Sequence, residues 1–304
     1  MNNLNDIQTA ENWLEKGNNA LSNMQNQLAI ECFTKAIEFG YEPLTYAYYN
    51  RGNSYCRLGK FQEAILDFDN AIIFEPDNVS AYLNRGICKD NLGKHQDAIW
   101  DYDKAIALNS INANAYYNRG ICKNDLGEYN EAILDFDKAI SLEPNNAGTL
   151  LNRGIAKNNL GKKNEAILDF DKAIALKTDY TIAIYNRGAI KIDLSQYQDA
   201  ILDFDKAIAL KPDFGICYYN RGICKGELGQ HSAAILDFDK ALAFNPNHVN
   251  TYLNRGKSRT YLKDYQDAIA DFKKVLSLEP NNVKANRNLE IVFLKLEIAK
   301  YENK

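Results

Sequence analysis

Apolar residues recur three or four positions apart along most of the chain, in short stretches separated by polar turns. In residues 79–112, the stretch Val79–Leu92 has this helical spacing and is broken by Gly93. A second stretch, Gln96–Leu108, has the same spacing and is followed by a polar loop. The pattern predicts two short amphipathic helices joined by a tight turn, and it predicts no strand.

The same pair of helical stretches recurs with a period of 34 residues. An Asn-Arg-Gly triplet in the first stretch of each pair begins at Asn50, Asn84, Asn118, Asn152, Asn186, Asn220 and Asn254. A fixed period of this length is typical of stacked supersecondary units rather than of one compact core. The triplet glycine and two alanines of the second stretch predict close approach of two antiparallel helices, because small side chains leave room for the partner.

Aromatic and small residues at fixed places carry a family resemblance. The pattern is Tyr82, Gly86, Ala98, Tyr102 and Ala105 in one repeat, and Tyr48, Gly52, Ala64, Phe68 and Ala71 in the repeat before it. This pattern of aromatic and small residues resembles the tetratricopeptide repeat family. The resemblance covers roughly residues 10–282. It implies an all-α, right-handed α-solenoid of stacked antiparallel helix pairs, with eight repeats and a C-terminal capping helix.

The predicted division follows the period. It comprises an N-terminal tail (1–9), an irregular first repeat (10–44), seven regular repeats (45–78, 79–112, 113–146, 147–180, 181–214, 215–248 and 249–282) and a capping helix with a tail (283–304).

The resemblance also implies a non-enzymatic scaffold, in which the first helix of each pair lines a concave groove that binds an extended peptide or a partner protein. The triplet asparagine is then the leading candidate contact, because its amide offers one acceptor and two donors that match a peptide backbone. The candidate peptide-binding residues are Asn50, Asn84, Asn118, Asn152, Asn186, Asn220, Asn254 and Asn288, with Tyr49, Tyr117, Tyr185, Tyr219, Asp90, Asp125, Lys257, Lys284 and Arg287. Two alternatives stay open: the asparagines bond only the neighbouring helix, and the tyrosines are packing residues.

The charges of this candidate surface differ along the chain. Asp90 and Asp125 make its middle acidic, whereas Lys257, Lys284 and Arg287 make its C-terminal end basic. We therefore expect a ligand that is basic centrally and that ends in a carboxylate or an acidic residue.

The arginine of the triplet needs an anion, because a buried unpaired charge costs roughly 3–5 kcal/mol. The first Asp of the Asp-Phe-Asp segment occurs wherever the arginine does, which predicts an Arg51–Asp67 ion pair within each repeat. The second Asp matches a lysine of the following repeat, which predicts an ion pair between Lys89 and Asp69 across the repeat boundary. Because these carboxylates point to different helix faces and have cationic partners, we expect no metal site from the Asp-x-Asp pattern.

A leucine or tryptophan stands before the first Asp of most Asp-Phe-Asp segments, at Leu66, Trp100, Leu134, Leu168, Leu202 and Leu236. We expect these side chains to pack as core against the next repeat. If they are exposed instead, they provide a second interaction surface and favour a structural or self-associating protein.

Composition and motifs limit the classes of protein function that the sequence fits. The net charge of −4 disfavours nucleic-acid binding, so RNA binding is only a minor alternative. The six cysteines lack a CxxC motif, and we expect small buried thiols. The chain shows neither a signal peptide nor an apolar run of membrane-spanning length, so we expect a cytoplasmic protein. No motif predicts a catalytic residue, a cofactor or a metal ligand.

Overall fold

The computed structural model describes the backbone of residues 4–302 and the side chains of residues 9–299. This part of the chain is an all-α solenoid of helices with no strand. The helices fall into two compact units, residues 1–161 and 162–304. The first unit contains α1 (Leu4–Ser22), α2 (Asn26–Glu38), α3 (Leu44–Arg57), α4 (Phe61–Phe74), α5 (Val79–Asn91), α6 (His95–Leu108), α7 (Ala113–Asp125), α8 (Tyr129–Leu142) and α9 (Ala147–Asn159).

The second unit contains α10 (Lys163–Leu176), α11 (Thr181–Asp193), α12 (Tyr197–Leu210), α13 (Gly215–Glu227), α14 (His231–Phe244), α15 (Val249–Tyr261), α16 (Tyr265–Leu278) and α17 (Val283–Glu302). We call the odd-numbered helices A helices and the even-numbered helices B helices. The final helix α17 follows the last repeat in the position of an A helix. Helix α1 begins at Leu4 and so extends into the predicted tail, while residues 1–3, 303 and 304 lie outside the described part.

Local signals set the helix boundaries. The side chain of Asn112 caps α7 by accepting a hydrogen bond from the backbone N–H of Ala115 at 3.1 Å. After α7 the chain turns at Gly127, whose φ of 81° lies in the left-handed region that glycine tolerates. These two signals place the short turns between successive helices.

The triplet glycine lies where the A and B helices of one repeat are closest. A Cβ built on Gly120 would lie 2.7 Å from Cε1 of Phe136, a ring that is itself fully buried. The equivalent contact joins Gly222 to Phe238 in the second unit. Close helix approach through this glycine, predicted from the sequence, is therefore confirmed.

An arginine of the triplet that pairs with two carboxylates connects two repeats. Nη2 of Arg119 lies 2.5 Å from Oδ1 of Asp135 in its own repeat, and Nη1 lies 2.5 Å from Oδ1 of Asp103 in the preceding repeat. Burial opposes the charged form, but the bonds and charges of Asp135 and Asp103 outweigh it and raise the pKa of Arg119. The same double pairing occurs at Arg85, Arg187, Arg221 and Arg255.

The predicted pairing of Arg51 with Asp67 is confirmed, with Nε and Nη2 each 2.8 Å from a carboxylate oxygen. The predicted pairing of Lys89 with Asp69 is wrong. Lys89 Nζ lies 2.8 Å from Asp101 in its own repeat, and Asp69 is bound by Arg85 at 2.5 Å. A guanidinium carries five donors in a planar fork, so it holds one carboxylate side-on and reaches a second with Nη1.

The leucines before the first Asp are exposed, so their expected place in the core is wrong. The side chains of Leu134 and Leu236 are both 68% exposed, and Trp100 is 50% exposed. They lie on the B helices, whose opposite side carries the buried Ala and Phe residues. Five of the six cysteines are buried as expected, while Cys56 is half-buried.

In the described residues, no helix combines the length and the apolar character needed to cross a bilayer.

Candidate peptide-binding surface

The A helices form the tighter side of each compact unit. In the first unit, contacts join α1 to α3, α3 to α5, α5 to α7 and α7 to α9. In the second unit, contacts join α11 to α13, α13 to α15 and α15 to α17. Within each unit, no two of the described B helices contact each other. Each stack is therefore narrower on its A side, which makes the A helices its concave side.

The triplet asparagines lie on these A helices and are all half-buried. Four of them donate to the hydroxyl of the tyrosine that precedes the triplet in the previous repeat. Asn84 donates to Tyr49 at 3.2 Å, and Asn152 donates to Tyr117 at 3.0 Å. In the second unit the equivalent bonds join Asn220 to Tyr185, and Asn254 to Tyr219 at 3.4 Å.

The other asparagines of the row lack a tyrosine partner in the described structure. Asn50 donates to the side chain of Asn18 at 3.3 Å, and Asn186 donates to the carbonyl of Ile182 at 2.9 Å. Asn118 and Asn288 follow repeats that carry Leu83 and Leu253 in place of the tyrosine. The hydrogen bonds that these asparagines make among the described residues use the Nδ2 donor.

The tyrosines contribute to both packing and polar contacts. The ring of Tyr219 lies 6.3 Å from that of Phe238 in its own repeat, while its hydroxyl meets Asn254 of the next. Tyr49, Tyr117 and Tyr185 make the equivalent ring contacts with Phe68, Phe136 and Phe204. Burial raises the pKa of Tyr185 and of Tyr219, although the asparagine bond opposes this shift. Each of these tyrosines therefore packs against the phenylalanine of its own repeat and has its hydroxyl next to an asparagine of another repeat.

A cavity of about 380 Å³ lies on this surface in the second unit. Its polar lining includes three predicted residues, Asn254, Asn288 and Lys257. Lys295 of α17 also lines it, together with Glu227. The apolar lining includes Ile223, Phe238, Tyr261, Phe272 and Val292.

Two of the three predicted basic residues do not belong to this cavity. Lys284 and Arg287 are exposed on α17 but do not line it. Lys295 is the second lysine that lines the cavity, and the sequence analysis did not identify it as a candidate. It lies seven residues, about two helical turns, after Asn288, which was the available signal.

The two predicted acidic residues differ in their surroundings. Asp125 is exposed at the end of α7. Asp90 is half-buried and bonded to two side chains, His95 Nδ1 at 2.7 Å and Cys122 Sγ at 3.1 Å. Asp90 is thus engaged inside the protein rather than presented freely to a ligand.

Comparisons with known proteins give the family of this chain. Two models of the tetratricopeptide repeat match it, one over residues 45–78, 113–146, 216–248 and 249–282, and the other over 79–112, 147–180 and 182–214. A curated relative, the translocon at the outer membrane of chloroplasts 64 of Pisum sativum, is 42% identical over 74 residues. That match covers 24% of this chain and only 12% of the relative.

Solved structures of repeat proteins are similar to more than half of this chain. MamA from Desulfovibrio magneticus RS-1 is 26% identical, and the match covers 56% of this chain and 97% of MamA with a TM-score of 0.54. YrrB, described as a tetratricopeptide repeat protein with an unusual peptide-binding site, is 22% identical with a TM-score of 0.55. That match covers 61% of this chain and 96% of YrrB, and at this identity the likeness concerns the fold alone.

Proposed function

Because the chain belongs to the tetratricopeptide repeat family, we propose that it is a non-enzymatic scaffold that binds an extended segment of a partner protein on its A-helix side. The observation that carries this proposal is the cavity of the second unit. It combines two amides, Asn254 and Asn288, and two lysines, Lys257 and Lys295, with an apolar lining. Pockets that combine an apolar lining with a few polar groups are typical binding sites.

The amides are suited to the backbone of a ligand. Asn254 is held by Tyr219 through its Nδ2 donor, which leaves its oxygen for a peptide N–H. Asn288 follows a repeat that carries Leu253 in place of the tyrosine, and its half-buried side chain lines the cavity. A ligand backbone that exchanges hydrogen bonds with both amides would be bound independently of its side chains.

The lysines are suited to an anionic end of the ligand. Lys257 lies on α15 and Lys295 on α17, and both side chains are exposed at the cavity. A carboxylate between two ammonium groups gains charge-assisted hydrogen bonds, which are roughly twice as strong as neutral ones. Glu227 at the same cavity disfavours ligands with several acidic groups. We therefore propose a peptide with one carboxylate, in particular a free C-terminus.

The test is a binding selection with a displayed library of peptides that have free C-termini. Selected peptides should bind the wild type, and amidation of the C-terminus should weaken binding at least about tenfold, which is about 1.4 kcal/mol. The variants Asn288→Ala and Lys257→Ala should each lose affinity. Lys240→Ala, an exposed lysine on B helix α14, is the matched control and should bind as the wild type does.

A selection that yields no binder would contradict the proposal. So would peptides that bind Asn288→Ala and Lys257→Ala with unchanged affinity, because their site would then lie elsewhere.

A second candidate function is self-association through the B-helix side. The exposed leucines of α8 and α14 favour it, because an exposed apolar surface is a common feature of interaction sites.

A further inference from the structure

Three side chains with metal-ligand chemistry converge where two repeats of the first unit meet. Asp90 lies near the end of α5, His95 begins α6, and Cys122 lies on α7 of the next repeat. The carboxylate, imidazole and thiol ligand atoms all lie within 4.8 Å of one another. Oδ1 of Asp90 is the common partner, 2.7 Å from His95 Nδ1 and 3.1 Å from Cys122 Sγ.

The repeat register shows that this combination occurs once. The equivalent residues in the following repeats are Asn124, Tyr129 and Ala156, then Asn158, Lys163 and Ile190, then Ile192, Tyr197 and Cys224. His231 is the other histidine at the His95 position, and its neighbours in register are Gly226 and Ser258. Recurrent packing does not need the three groups together, since the other repeats form the same helix pairs without this combination.

A further departure from the repeat pattern lies in the same place. Tyr102 replaces the phenylalanine that the other regular repeats carry at this position. Its side chain is fully buried, and its hydroxyl has no hydrogen-bond partner among the described residues. Tyr102 packs in the same buried cluster as Cys122. A buried hydroxyl without a partner is costly unless another group satisfies it.

We propose that Asp90, His95 and Cys122 bind a zinc-class divalent metal ion. Thiolate sulfur, imidazole nitrogen and carboxylate oxygen together form a typical zinc ligand set, whereas magnesium and calcium prefer oxygen ligands alone. On binding, the Cys122 thiol loses its proton to solvent and its sulfur forms the bond to the metal. A water molecule completes a four-coordinate ion and gives the Tyr102 hydroxyl a polar neighbour.

The site is exposed enough for a metal ion to enter and leave. The side chains of His95 and Asp90 are 27% and 24% exposed, so an ion reaches them from solvent, while Cys122 forms the buried end. The ion would tie α5 and α6 of one repeat to α7 of the next. It would also keep Asp90 away from any ligand on the A-helix side.

The experiment uses the 304-residue chain, stripped of metal and kept reduced. Zinc titration calorimetry should show one ion per chain, and cobalt should give the near-ultraviolet charge-transfer band of a thiolate ligand. Asp90→Asn, His95→Tyr and Cys122→Ala should each weaken zinc binding at least about tenfold. Each variant carries the residue that the next repeat has at the same position, so the fold is retained, as circular dichroism will verify.

Two controls separate this site from other zinc-binding groups. His231→Tyr tests the other register-matched histidine, and Cys56→Ser tests the thiol that packs against Cys88; both should bind zinc as the wild type does. Absence of stoichiometric zinc binding would overturn the proposal. Unchanged binding in Cys122→Ala, or a loss confined to Cys56→Ser, would overturn it as well.

Discussion

The two glycines inside the A helix α13 differ in the space that surrounds them. Gly222 belongs to the triplet, and a Cβ there would lie 2.7 Å from Cε1 of Phe238. Gly226 lies one turn later, and the nearest atom to a Cβ there is Oγ of Ser258 at 3.8 Å. Packing therefore requires glycine at the first position, while the second position has room for a methyl group.

Alanine substitution should separate the two glycines. Gly222→Ala should destabilise the protein by about 1–3 kcal/mol, because the buried ring of Phe238 cannot move away without disturbing the core. Gly226→Ala should leave stability unchanged or raise it by up to about 1 kcal/mol, because alanine favours the helix. Urea unfolding of both variants measures the difference. Equal effects in the two variants would contradict the assigned role of Gly222.

At the scale of the helix, the two carboxylates of one B helix have unequal roles. In α14, the side chain of Asp237 is 5% exposed and accepts bonds from both Arg221 and Lys225. Asp239, two residues later, is 46% exposed and bonds Arg255 of the next repeat at 2.5 Å. The first carboxylate is the shared partner of two half-buried cations, and the second makes an ion pair at the protein surface.

Amide substitutions should therefore differ in cost. Asp237→Asn should reduce the free energy of unfolding by roughly 3 kcal/mol, because it leaves two cations without their buried anion. Asp239→Asn should cost less than about 1 kcal/mol, because solvent screens the exposed pair. Chemical denaturation of the two variants under identical conditions measures both values. A larger loss for Asp239→Asn would reverse the assignment.

At the scale of the whole molecule, the leucines differ in how much of the side chain is exposed to solvent. Leu134 and Leu236 are both 68% exposed, whereas Leu150 of α9 is 3% exposed. An exposed apolar side chain contributes little to folding but can contribute to association. Substitution of a buried leucine should therefore change the free energy of unfolding, whereas substitution of an exposed leucine can change the oligomeric state.

The double variant Leu134→Gln/Leu236→Gln should unfold within about 1 kcal/mol of the wild type, because surface changes typically stay within about 0.5 kcal/mol each. Leu150→Ala, the buried control, should cost roughly 2–5 kcal/mol. Sedimentation of the double variant also tests the second candidate function. Oligomers that persist in it would contradict self-association through these leucines.

The sequence by itself determined the repeat, its helices and its closest contact. The asparagine caps and the turn glycines act within a few residues. The contact of Gly120 with Phe136 has equivalents in other repeats, such as Gly52 with Phe68 and Gly222 with Phe238. The Arg51–Asp67 pair was predictable for the same reason, since both residues belong to one repeat.

Only the tertiary structure decided what meets across repeat boundaries. That Arg85 rather than Lys89 binds Asp69 depends on how one helix pair is rotated on the next, which no local pattern encodes. The exposure of Leu134 depends on the same rotation. The convergence of Asp90 and His95 with Cys122, 27 or more residues later in the chain, also required the stacking of one repeat on another, because sequence spacing alone does not define a distance across a packed interface.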